Sequence, residues 1–142
     1  MDIVNAASAR ADFYDRNALV VILSYNASNI VPHGVTVRDT YTVPAGKKSI
    51  VNGLSGEIIR RLVATGSGAT RGYYSFTPDG GLTDRIFSVE HLALTTYTDG
   101  RNSVSPAFVM YPGDQIDLVT TDAKGTGSAN YSFNGMITEF DY

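Results

Sequence analysis

The sequence predicts an all-β chain, an antiparallel β-sandwich of jelly-roll type with about eight strands and an extended N-terminal arm. Three observations lead there. Only 3 Lys and 3 Glu occur among 142 residues, so the residues that furnish exposed helix faces are scarce, while Thr, Val, Ile, Tyr and Phe are plentiful. The 14 glycines and 5 prolines fall mostly between apolar runs, where turns belong. The apolar runs are short and follow one another at the spacing of an antiparallel sandwich. A chain of this length hides roughly two-thirds of its unfolded surface and needs no partner to build a core.

Residues 1–16 read as the arm and 17–142 as a single sandwich domain. The arm is small, polar and alanine-rich, with room for one helical turn around Ala7 to Tyr14. Leu19 to Tyr25 is a continuous apolar run of β-formers, the pattern of a strand covered on both faces. After the Pro32-His33-Gly34 turn, Val35 to Val43 alternates: Val35, Val37, Tyr41 and Val43 share one face, with Asp39 as the exception. Pro44-Ala45-Gly46 turns the chain into Ser49 to Ala64. There Ile50, Leu54, Ile58 and Leu62 recur every four residues, which allows a helix. Gly53 and Gly56, each weakening a helix by about 1 kcal/mol, favour two short strands or a bulged one.

Tyr73 to Thr77 is a short strand, and Pro78-Asp79-Gly80-Gly81 is a strong turn signal. Ile86 to Thr96 is a long strand whose mixed faces indicate a bulge. Ala107 to Tyr111 and Gln115 to Thr121 flank the Pro112-Gly113-Asp114 turn. Asn130 to Phe140 closes the chain, with Ala129, Tyr131 and Phe133 opposed to Asn130, Ser132 and Asn134 and a change of phase expected at Gly135.

Composition excludes several functions. Lys+Arg is 11 and Asp+Glu is 14, a net charge of -3, so there is no basic surplus for phosphates and no nucleic-acid partner is expected. No apolar run approaches the roughly 20 residues that cross a bilayer, so no membrane partner is expected. Met1 to Ala11 lacks the charged and apolar regions of a secretory signal. The absence of cysteine removes disulfides, thiolate catalysis and sulfur-bound zinc.

Chemistry-bearing motifs fall short in turn. His33 and His91 are far apart and lack companion histidines, and cofactors are not expected. Gly53-Leu54-Ser55-Gly56 begins like a nucleophile elbow, but Glu57 stands where the motif needs glycine. Gly125-Thr126-Gly127 stops short of a phosphate loop, and Asp114, Asp117 and Asp122 match no EF-hand spacing. Glu57, Glu90 and Glu139 are the only glutamates available for a glycosidase pair, and no tryptophan offers a sugar platform. Asn26-Ala27-Ser28 and Asn130-Tyr131-Ser132 fit the glycosylation pattern, and without a secretory signal they read as chance. The expectation is a chain that is not an enzyme.

Three stretches carry a resemblance: Ala11 to Leu54, with its Pro-His-Gly and Pro-Ala-Gly-Lys turns; Phe108 to Thr121, with Pro-Gly-Asp before an apolar strand; and the closing strand Tyr131 to Tyr142. Their order resembles the jelly-roll decoration, or cement, proteins of tailed bacteriophage capsids. The resemblance implies a homotrimer made in the host cytoplasm. It implies a place on the outer surface of the assembled head, where such a protein bridges major capsid protein subunits. It makes the arm a capsid-binding segment, with Phe13 and Tyr14 as apolar anchors and Arg10 and Arg16 as pairing charges. Two other classes remain open: a trimeric tail or fibre domain binding a host receptor or glycan through Gly66 to Tyr74 and Asp122 to Tyr131, and a cupin-like metal enzyme.

Overall fold

The computed structural model describes residues 2–3, 18–30, 34–60, 69–92, 98–105, 108–122 and 129–141. Its strands are β1 (Asp2–Ile3), β2 (Leu19–Ile30), β3 (Gly34–Thr42), β4 (Lys47–Arg60), β5 (Ala69–Thr77), β6 (Asp84–Leu92), β7 (Thr98–Val104), β8 (Phe108–Met110), β9 (Gln115–Asp122) and β10 (Ala129–Asp141). They pair as one long hairpin rolled on itself. β2 pairs with β10, β3 with β9, β4 with β7 and β8, and β5 with β6. β7 and β8 share one strand position, facing Leu54–Arg60 and Ser49–Val51 of β4 respectively. Pro106, which has no N–H for a ladder, stands between them in the sequence. Pairing first with last in this nested way is the jelly roll.

Two antiparallel sheets result. The larger runs β1-β8-β4-β10-β2 with β7 also on β4, and the smaller runs β3-β9-β5-β6. Asp2–Ile3, the start of the predicted arm, add a short edge to β8; Ala7 to Tyr14 lies outside the described residues. Among the described residues no helix is long and apolar enough to cross a membrane.

The core fills the space between the sheets. Tyr74 meets Phe87 at 5.7 Å and Phe133 at 6.3 Å between ring centroids, and Phe76 meets Phe108 at 5.8 Å. These tilted and edge-on arrangements are the favoured ones for aromatic rings. The Phe133 ring fits because Gly56 on β4 and Gly72 on β5 have no side chain: a Cβ at either would overlap the ring. Two glycines that weaken their strands locally thus admit the ring that joins the sheets.

Two expectations change. The alternation predicted from Val35 to Val43 breaks, because a bulge lies between Val37 and Asp39. Val35 and Val37 are exposed while Tyr41 and Val43 are buried. The bulge turns Arg38 and Asp39 together into the seam between the edge strands β2 and β3. Asp39 Oδ2 accepts from the Ser24 N–H at 3.0 Å, Arg38 Nε donates to Thr120 Oγ1 at 2.8 Å, and the guanidinium lies 4.5 Å from the Tyr25 ring centroid.

In β4 the expected bulged strand is what forms. It runs unbroken through Arg60, with the irregularity between Val51 and Gly53 opposite Met136/Ile137. The bulge puts Ile50 on the outer face and Leu54 and Ile58 on the inner one, so their spacing of four is not a helical face. The second change is that Gly135 does not shift the phase of β10: Phe133, Gly135 and Ile137 all face inward. What changes near the end is coverage, since Thr138 and Phe140 on the outer face are also buried. The bulge expected in Ile86 to Thr96 is present at Ile86, opposite Tyr74/Ser75.

At one end of the sandwich three turns are clipped together. Gly46, Gly80 and Gly113 take positive φ values of 75°, 67° and 89°, which L side chains rarely adopt. Asp114, 7% exposed, accepts from the Tyr111 N–H at 2.9 Å through Oδ2 and from the Asp79 N–H at 3.0 Å through Oδ1. Its carbonyl accepts from the Val43 N–H at 2.9 Å, and the Gly113 N–H donates to the Val43 carbonyl at 3.0 Å. Asp114 therefore ties three turns to each other, β5–β6 and β8–β9 through its carboxylate and β3–β4 through its backbone carbonyl.

Candidate functional site

The outer face of the larger sheet is where this chain differs from a plain soluble sandwich. Register places Ile22 of β2 beside Met136 of β10, and Met136 beside Gly53 of β4. Val20 is beside Thr138 in the next outward row. Val20, Ile22 and Met136 are 51%, 53% and 46% exposed, and Leu19 at the strand start is exposed as well. The expectation that Leu19 to Tyr25 is covered on both faces is therefore corrected: Leu23 is buried and Val21 and Tyr25 pack on the core, but the outward side chains Val20 and Ile22 stand half-exposed. Ile50, Val109 and Phe140 lie on the same face and form a second small buried cluster with Tyr111.

In the opposite direction the face turns polar. Successive rows run Ser24–Asn134–Ser55–Ser103 and Asn26–Ser132–Glu57–Arg101 by backbone register. Ser132 Oγ donates to Asn26 Oδ1 at 2.9 Å, and Ser55 Oγ donates to the Asn134 carbonyl at 3.2 Å. Two open grooves of about 350 and 520 Å³ lie along these rows and share Glu57 and Ser132.

The outer face of the smaller sheet is unlike this. Arg71 and Glu90 pair at 2.8 Å, and the Arg71 guanidinium holds the Glu90 carboxyl below its usual range. Thr40 Oγ1 donates to Asp117 at 2.6 Å, and the Arg85 guanidinium stacks 4.0 Å from the Tyr73 centroid. Each of these charged groups has a partner within the chain, an opposite charge, a hydroxyl or an aromatic ring.

The residues singled out by sequence are dispersed. Arg10, Phe13, Tyr14 and Arg16 lie outside the described residues, as do His33, Gly66 to Gly68 and the Gly125-Thr126-Gly127 segment. His91 is on β6, opposite Thr70. The three glutamates occupy three different places: Glu57 on the outer face of the larger sheet, Glu90 on that of the smaller, and Glu139 inside. Glu139 accepts from the Tyr41 hydroxyl at 2.8 Å, which also contacts Ser49 Oγ at 2.5 Å. Burial, and then the neighbouring Glu139, push the Tyr41 phenol well above its ordinary value. Gly53-Leu54-Ser55-Gly56 runs through the middle of β4 and not through a strand-to-helix turn. Among the described residues no three His, Cys, Asp or Glu side chains come together as metal ligands.

Sequence reasoning passed over the groove residues. Asn26-Ala27-Ser28 and Asn130-Tyr131-Ser132 were visible as glycosylation patterns. Placed on antiparallel neighbours, each Asn-x-Ser is a strand's period of two, which puts both polar residues on the same outward face. Ser132 is directly opposite Asn26.

No protein-family model and no curated protein matches the chain. Solved structures similar in chain course include murine APRIL at pH 5.0, 13% identical over 85% of this chain and 98% of that one, TM-score 0.47. The D431N mutant VP2 protein of infectious bursal disease virus is 15% identical over 88% of this chain and 32% of that one, TM-score 0.45. The globular domain of zebrafish complement 1qA is 12% identical over 85% and 96%, TM-score 0.43. This chain spans about a third of the viral protein. At these identities and scores the likeness carries nothing about what the chain binds.

Proposed function

We propose that the chain is a non-enzymatic structural protein of a virion, a decoration or cement protein that sits on the outer surface of an assembled phage head. It acts as a homotrimer, is made in the host cytoplasm, and stabilises the head by bridging major capsid protein subunits. The observation that supports this reading is the outer side of β2. Its sequence is that of a strand buried on both faces, yet Val20 and Ile22, with Met136 beside them, stand half-exposed on a face poor in charge. Depletion of charge around exposed apolar side chains is the mark of an interface core.

The magnitudes favour a multivalent attachment. Covering the exposed part of three such side chains contributes on the order of 1 kcal/mol each. That falls short of the roughly 4–15 kcal/mol of freedom lost on association. Three copies linked into one body convert the later contacts into intramolecular ones. Binding the assembled lattice alone then shifts the shell towards assembly by the binding free energy at each site. The arm adds its own anchors in this scheme, Phe13 and Tyr14 with Arg10 and Arg16.

The test is light scattering on the whole chain followed by cosedimentation with undecorated heads. Three copies per particle and saturable head binding are expected. The double variant Ile22→Asp, Met136→Asp should keep its fold and lose both properties, and deletion of residues 1–16 should leave the sandwich folded but abolish head attachment. A wild-type chain that is monomeric and does not sediment with heads overturns the proposal.

A further inference from the structure

We propose that the polar groove on the outer face of the larger sheet is a binding site for a neutral carbohydrate. This site does not depend on the decoration reading. Asn26, Ser132, Asn134 and Ser55 supply amides and hydroxyls, Glu57 lies where the two hollows meet, and Asn102 forms part of the far rim. Volumes of about 350 and 520 Å³ fall in the range of roughly 300–1,000 Å³ typical of small-ligand sites. The lining offers polar and apolar surface in nearly equal shares, so its ligand has to offer both.

Chemistry narrows the class. An apolar ligand would strip water from these amides and hydroxyls and return no hydrogen bond, which is unfavourable. With Arg101 opposite Glu57 in register, the site has no surplus of positive charge to hold an anion. A single carboxylate is a poor cage for a hard cation, which takes several oxygen ligands at once. A sugar fits: each of its hydroxyls donates and accepts, a side-chain amide offers one acceptor and two donors in one plane, and a carboxylate accepts from two adjacent hydroxyls. Ile59, also in the lining, gives a small apolar surface for the C–H side of a sugar ring.

The groove is held in shape by the fold. Its floor is the paired backbone of β2, β10 and β4, so the side chains follow the strand repeat. Ser132 donates to Asn26 Oδ1, which fixes that amide and leaves its nitrogen to donate to a ligand. On the rim, Asn102 accepts from the Ser103 N–H at 2.9 Å and donates to the Ser88 carbonyl at 3.3 Å, which ties β7 to β6 across the edge. Preorganisation of this kind lowers the entropy lost on binding.

The test uses the whole chain, isotopically labelled, titrated in the millimolar range with maltotetraose, cellotetraose, chitotetraose and mannotetraose. At least one should shift the backbone amides of Asn26, Glu57, Ser132 and Asn134. Glu57→Gln should weaken that binding by roughly tenfold, the worth of one hydrogen bond to a charged group. Ser132→Leu, which fills the hollow at a solvent-facing position, should abolish it. Both variants should keep the wild-type spectrum elsewhere and the wild-type solution mass, which separates failure of the groove from failure of the trimer. No shift at these amides with any of the four sugars overturns the proposal, and so does an equal response in Ser132→Leu.

Discussion

The turn end of the sandwich and the outer face of the larger sheet use polar groups in opposite ways. Around Asp114 both carboxylate oxygens and the carbonyl are engaged by backbone N–H groups of three turns, so nothing is left over for a ligand. Along Asn26, Ser132, Asn134 and Ser55 the side chains stand at the surface, and the sheet beneath them is already complete through its backbone. The first region is consumed by folding. The second is surplus to it, as are Val20, Ile22 and Met136 next to it.

The difference can be broken or sharpened by mutation. Asp114→Ala should have the largest effect on stability, about 3 kcal/mol, because it removes the shared acceptor of two part-buried N–H donors; chemical denaturation would read it, with oligomeric state unchanged. Gly72→Ala should follow at about 2 kcal/mol, since the new methyl forces Phe133 out of its place between the sheets. Ile22→Asp with Met136→Asp should move stability by no more than about 0.5 kcal/mol each while removing self-association. A large loss of stability in the isolated monomer of that variant would mean that the face belongs to the core after all.

Alkaline pH gives the smallest signal, nil at neutrality. Burial raises the phenol pKa values of Tyr41 and Tyr74 in the folded chain. Each therefore contributes stability that is fully present below the unfolded value of about 10 and is lost as pH climbs from there towards the folded value. Denaturation midpoints should be flat from pH 7 to about 9 and fall beyond about 10. Tyr41→Phe should make the fall shallower.

Most strands and turns were legible because they rest on local rules. Strands came from alternation and β-branched content, and turns from Pro-Gly, Asp-Gly and Pro-Ala-Gly. The Pro-Gly-Asp and Pro-Ala-Gly-Lys turns that carry the resemblance to phage decoration proteins proved to be parts of one clip at the turn end, so they speak for the fold more than for a partner. Bulges were harder. The one at Arg38 and Asp39 depends on a seam with β2 that no local pattern reveals, and it reversed the exposure of Val35 and Val37. The groove was least legible, since its residues come from β2, β4, β7 and β10 and meet only through register. Asn26-Ala27-Ser28 and Asn130-Tyr131-Ser132 were the available signal, and their meaning lay in being opposite one another.

The nested pairing has a consequence for biosynthesis. β2 leaves the ribosome long before its ladder partner β10, with the rest of the sandwich made in between. Until then its apolar side chains lack the neighbour that completes their sheet, and the nascent chain carries an unpaired, sticky edge. Topologies dominated by such distant contacts fold slowly. The yield of soluble protein should therefore depend on how quickly translation delivers the 13 residues of β10, and synonymous slow codons just upstream of them should increase aggregation without changing the product.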